Sequence, residues 1–67
     1  MQISARNQLK GTVKHVTTGA VMSEVIVDVG GHEVVAMITR ASVDRLELNA
    51  GDAVVAIIKS TDVMIGK

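Results

Sequence analysis

Apolar and polar residues alternate with a period of two along most of this chain, which is the pattern of half-buried strands. Residues 2–8 alternate loosely. Leu9 to Val16 alternates clearly, with Leu9, Gly11 and Val13 on one face and Lys10, Thr12 and Lys14 on the other. This predicts one long strand or two strands sharing a bend, with Gly11 as the expected bulge. Thr17-Thr18-Gly19-Ala20 predicts a turn. Val21 to Val29 alternates again, Val21, Ser23, Val25, Val27 and Val29 opposing Met22, Glu24, Ile26 and Asp28. Gly30-Gly31 is a two-residue hairpin signal, and His32 to Thr39 is the return strand, with Val34, Ala36 and Ile38 on one side.

After Thr39 the period changes. Val43, Leu46 and Leu48 have helical spacing, which predicts about two turns over residues 41–47, capped by Thr39 or Ser42. Asn49-Ala50-Gly51-Asp52 breaks the chain. Ala53 to Lys59 is nearly all apolar and is expected to be a central strand covered on both faces. Ser60-Thr61 interrupts it, and Asp62 to Ile65 reads as a last short strand. The order β-β-β-α-β-β is that of an all-β (mainly β) domain, a five-stranded, partly open Greek-key barrel with one short helix, spanning residues 1–67.

Size and composition add a demand for partners. A single domain of 67 residues buries only about 60% of the surface its unfolded chain exposes. Disulfides and thiolate metal sites are excluded by the absence of cysteine, and His15 and His32 cannot form a structural zinc site alone. Yet 48% of the residues are apolar, more than one small core needs, so an obligate homo-oligomer is expected. Seven basic residues balance seven acidic ones, and Phe, Tyr and Trp are absent. Without a basic stripe or stacking platform, nucleic acid is not an expected partner. No charged leader precedes an apolar run, and no apolar stretch approaches ~20 residues, so no membrane is expected and the cytoplasm is the default location.

Nothing in the sequence has the spacing of a catalytic constellation or of a Gly-rich phosphate loop, so no enzyme activity and no cofactor are expected. His15 and His32 read as ordinary strand residues. Met22, Met37 and Met64 read as core filler.

Three candidate sites stand out, the first built from two stretches. Ser4-Ala5-Arg6-Asn7 lies near one end and Lys59-Ser60-Thr61 near the other. If the first and last strands pair, Ser4, Arg6, Lys59 and Ser60 converge as hydroxyls and fixed positive charges without a carboxylate. Such a donor set suits a fully ionised oxyanion, the competing reading being a solvated strand end. Thr39-Arg40-Ala41-Ser42 places two hydroxyls at a helix start, either an anion site or a simple N-cap. The third, Thr17 to Val21, is either a nest of N–H groups for an anion or a plain hairpin turn.

These segments carry a resemblance. Ser4-Ala5-Arg6-Asn7-Gln8-Leu9-Lys10-Gly11-Thr12-Val13 resembles the opening signature of the molbindins, the Mop-type molybdate-binding domains related to TOBE domains. Glu24-Val25 with the Gly-Gly hairpin, Ile38-Thr39-Arg40-Ala41-Ser42-Val43, Leu48-Asn49-Ala50-Gly51-Asp52 and Ile58-Lys59-Ser60-Thr61-Asp62-Val63-Met64 follow in the family's order. The resemblance implies an OB-like barrel, a homohexamer built as a trimer of dimers, and molybdate or tungstate held at subunit interfaces. In that family the motifs matching Ser4, Ala5 and Arg6 and Lys59, Ser60 and Thr61 supply one side of the site. The motif matching Thr39, Arg40, Ala41 and Ser42, from a neighbouring subunit, supplies the other. A second class of interface site is expected at Gly19, Ala20 and Val21. The implied role is storage and buffering of the oxyanion. The alternatives are a structural or oxyanion-sensing module without a storage role, and a small Sm-like RNA-binding ring protein.

Overall fold

The computed structural model describes residues 1–67. Four strands and one short helix form: β1 (Asn7–Thr18), β2 (Met22–Val29), β3 (His32–Thr39), α1 (Arg40–Leu46) and β4 (Ala53–Ile58), followed by a 3₁₀ turn at Ser60–Asp62. All strand pairs are antiparallel, in the spatial order β3-β2-β1-β4. Three consecutive strands with the fourth returning beside the first make a Greek key.

The long first strand organises the sheet. Its first half pairs with β4, from Asn7↔Ile58 to Thr12↔Ala53, and its second half with β2, from Thr12↔Asp28 to Thr18↔Ser23. The strand changes neighbours at Thr12, which pairs with both Ala53 and Asp28. A Cβ at Gly11 would stand 2.5 Å from the Asp28 carbonyl oxygen and 2.8 Å from a Val27 methyl, so only glycine lets β2 cross this closely. The expected bulge at Gly11 lies elsewhere: the register shifts between Val13 and His15. Lys14 is the extra residue, and its ammonium turns outward to pair with Glu33.

Alternation puts Val13, Val25 and Val27 inside, where they meet Val43 of α1 as the buried core. The half-buried Val34, Ala36 and Ile38 of β3 share that face through the pairs Val27↔Val34, Val25↔Ala36 and Ser23↔Ile38. Helix α1 starts one residue before its expected span, because Thr39 caps it, its Oγ1 accepting from the Ser42 N–H. It ends where Glu47 turns left-handed at φ 52° and Leu48 donates its N–H to the Val43 carbonyl. That turn sends Leu48 back against the core.

Three expectations are corrected. Residues 62–65 form no strand, so the sheet has four strands where five were expected. The apolar run at 53–58 is an edge strand with Val55 and Ile57 37% and 38% exposed, so apolarity on both faces did not mean coverage on both faces within one chain. Met22, Met37 and Met64 are 44%, 60% and 91% exposed, so they do not fill the core of this chain. One physical reason covers all three. The sheet of one chain is too small to wrap around its apolar residues, and only five of 67 residues are buried.

Candidate functional site

The pairing Asn7↔Ile58 decides what happens at the open end of the β1–β4 ladder. Residues before Asn7 and after Ile58 leave the sheet side by side. They enclose a concavity of about 210 Å³ lined by Ser4, Ala5, Lys59, Ser60 and Thr61. The Gln8 side-chain amide donates to the Ala5 carbonyl at 2.7 Å and fixes the incoming segment. On the other side, the Asp62 N–H donates to the Lys59 carbonyl at 2.9 Å, which closes the 3₁₀ turn and presents Ser60 and Thr61. The lining offers three hydroxyls and one ammonium with no carboxylate. Arg6 is exposed and lies outside the lining set. The strand starts only at Asn7, so Ser4 and Arg6 lie in the segment before it, and of the two only Ser4 joins Lys59 and Ser60 in the lining.

Thr39–Ser42 lies elsewhere in the chain. It follows β3, at the sheet edge opposite β4, and none of its residues lines the concavity. Its two hydroxyls face each other, Thr39 Oγ1 donating to Ser42 Oγ at 2.8 Å while accepting from the Ser42 N–H at 3.1 Å. The Arg40 N–H is also used, donating to the Val21 carbonyl at 2.8 Å.

That last bond joins the two remaining candidates. The Gly19–Val21 turn abuts the start of α1, with Met22 paired to Thr39 in the sheet. Gly19 donates its N–H to the Met22 carbonyl at 2.9 Å, while the N–H groups of Ala20 and Val21 make no backbone hydrogen bond. Val21 is 73% exposed. The turn therefore offers free donors at its tip, next to the start of α1.

Sequence reasoning missed two features. One is a groove of about 500 Å³ between the end of β1 and α1, with Val16, Val43 and Leu48 as its floor and Asp44 and Glu47 among its lining. It depends on how the helix is set on the sheet, for which the sequence carries no signal. The other is the contact of Arg40 with Asp44, Nε to Oδ1 at 3.5 Å. Its i, i+4 spacing was readable once a helix had been placed.

Comparison with known proteins identifies the family. The TOBE domain matches residues 3–65. Molybdenum-pterin-binding protein 3 of Clostridium pasteurianum is 48% identical over 66 residues, which cover 97% of each chain. A solved molybdate-binding protein from Sporomusa ovata covers this chain from end to end, and is itself fully covered, at TM-score 0.95 and 45% identity. The cytoplasmic molybdate-binding protein ModG, solved with molybdate bound, covers 90% of this chain with 43% of its own at TM-score 0.85 and 44% identity. The chain belongs to the TOBE-domain family and, within it, to the Mop-type proteins, the molbindins.

Proposed function

We propose that this protein is a non-catalytic molybdate- and tungstate-binding protein that stores and buffers the oxyanion in the cytoplasm, at the interfaces of a homohexamer. The observation that carries this reading is the concavity of Ser4, Ala5, Lys59, Ser60 and Thr61, with donors and no carboxylate. Whole-length relatives that are molybdate- or molybdenum-pterin-binding proteins support the choice of ligand. In this reading the whole chain, 1–67, acts as one binding module. Arg6 flanks the concavity, and Thr39 to Ser42 of a neighbouring subunit complete it. The position of Thr39–Ser42 at the opposite sheet edge supports completion by another subunit, because one chain does not bring the two halves together. Gly19 to Val21 forms the second class of site through the free N–H groups of Ala20 and Val21.

The chemistry selects by charge and size. Molybdate and tungstate are unprotonated tetrahedral dianions at neutral pH. Phosphate at that pH carries a proton and needs an acceptor, which a donor-lined pocket lacks. Sulfate is smaller, so a pocket of fixed size makes longer bonds to it. A hydrogen bond to a charged group is worth ~1.5–3 kcal/mol, so losing one or two decides the preference.

Native mass spectrometry with and without molybdate tests the reading. A hexamer that gains several oxyanion masses is expected, and Lys59→Ala should weaken binding roughly tenfold to hundredfold, the loss of one charged hydrogen bond. A hexamer that gains no mass would leave a structural module as the better reading.

A further inference from the structure

Arg40 belongs to the Thr39–Ser42 motif, and its charge invites the assignment of a direct anion ligand. Its contacts point elsewhere. The Arg40 guanidinium donates through Nη1 to the Gly19 carbonyl at 3.5 Å, and its Nε faces Asp44 Oδ1 at 3.5 Å. Its backbone N–H holds the Val21 carbonyl at 2.8 Å. One residue thus grips the Gly19–Val21 turn at both ends and is itself held by a carboxylate one helical turn on. The turn is already tight: a Cβ at Gly19 would stand 2.4 Å from the Met22 carbonyl oxygen.

We infer that Arg40 is a positioning residue, a latch that fixes the Gly19–Val21 turn against the start of α1 and so holds the two oxyanion-binding segments in one geometry. This rests on the proposed binding role of those segments. Arg40 acts on the anion through the turn, and Asp44 acts through Arg40. A forked guanidinium suits the role, because it reaches the carbonyl and the carboxylate together, whereas a lysine ammonium on its single stem reaches one or the other.

The latch and a direct ligand differ in sign at Asp44. If Arg40 touched the anion and Asp44 were merely nearby, Asp44→Asn would remove a repelling charge and tighten molybdate binding. If Asp44 orients the latch, the same change loosens the turn and weakens binding severalfold. The assembled protein is titrated with molybdate as wild type, Asp44→Asn, Arg40→Lys and Arg40→Met. Amide hydrogen exchange at Gly19 is followed in each without ligand. The latch requires weaker binding in Asp44→Asn, faster Gly19 exchange in Arg40→Met, and partial recovery of both with Arg40→Lys. Tighter binding in Asp44→Asn, or unchanged Gly19 exchange in Arg40→Met, overturns it. Should Arg40→Met fail to fold, the sign of the Asp44→Asn effect decides alone. Should the wild type bind no molybdate, the functional reading falls, and the exchange measurement judges the latch by itself.

Discussion

Ser23 lies on the inner face of β2 between Thr18 and Ile38, 1% exposed, and its Oγ has no hydrogen-bond partner. A buried hydroxyl without a partner costs ~1–3 kcal/mol. Removing it should therefore help: Ser23→Ala is expected to raise stability by about 1 kcal/mol, read as a higher urea midpoint. An equal fall would mean that the hydroxyl is hydrogen-bonded in solution. Alternation alone placed Ser23 inward with Val25 and Val27. Its lack of a partner was not readable, because that depends on which atoms face it across the sheet. The same limit applied at the candidate site. Ser4, Lys59 and Ser60 could be grouped from residue type and strand order, but Ala5 and Thr61 entered only through the family motif. Arg6, the residue just before β1, stays outside the lining that Ser4 and Ala5 enter.

At the scale of elements, β1 is shared between two neighbours and Gly11 marks the crossover. Gly11→Ala should cost about 1–3 kcal/mol in urea unfolding, because the new methyl meets the rigid backbone of β2. A neutral effect would show that β2 can move away freely. The bulge at Lys14 points that side chain at Glu33 on β3. The Glu33 carboxylate, by hydrogen bond first and by charge second, raises the Lys14 pKa above the ordinary 10.5, and Asp28 adds a smaller pull. The sign follows. The ammonium is favoured in the folded state, so its contribution is complete below the ordinary lysine value and fades as pH rises through the raised one. Wild type and Lys14→Met should therefore differ slightly in melting temperature at pH 8 and converge above the raised value. The difference stays small because the pair is exposed, with side chains 59% and 48% accessible. A gap that widens with rising pH would contradict this assignment.

For the whole molecule, exposed area is the decisive quantity. A compact monomer of 7.0 kDa should expose about 4,000 Å², and this chain exposes 5324 Å². The radius of gyration, 12.3 Å, likewise exceeds the ~10.9 Å expected for its length. The excess is apolar at both ends: Met1 is 80% exposed, and Met64 and Ile65 are each 91% exposed. If copies bury this surface between them, as the proposed assembly requires, folding is linked to assembly and the melting temperature should rise with protein concentration. If the oxyanion bridges subunits, molybdate at a hundredfold excess over Kd should add ~2.7 kcal/mol per site. Thermal scans across a concentration series, with and without molybdate, check both. A melting temperature independent of both would argue against sites shared between subunits.

The sequence alone determined the mainly-β class, β2 and β3 with their inward faces, the Gly-Gly hairpin and a helix capped by Thr39 or Ser42, of which the structure uses Thr39. All of these follow from period and from hydrogen bonds within a few residues of each other. It also supplied the family, because ordered motifs survive without any knowledge of their packing. Tertiary structure decided which polar segments meet. Ser4 and Ser60 share a concavity because Asn7 pairs with Ile58, and Gly19 meets Arg40 because Met22 pairs with Thr39. It also decided that residues 62–65 form no strand within one chain, although their apolar pattern allows one. A strand needs a neighbour to take up its backbone hydrogen bonds, and no local pattern says whether that neighbour lies in the same molecule.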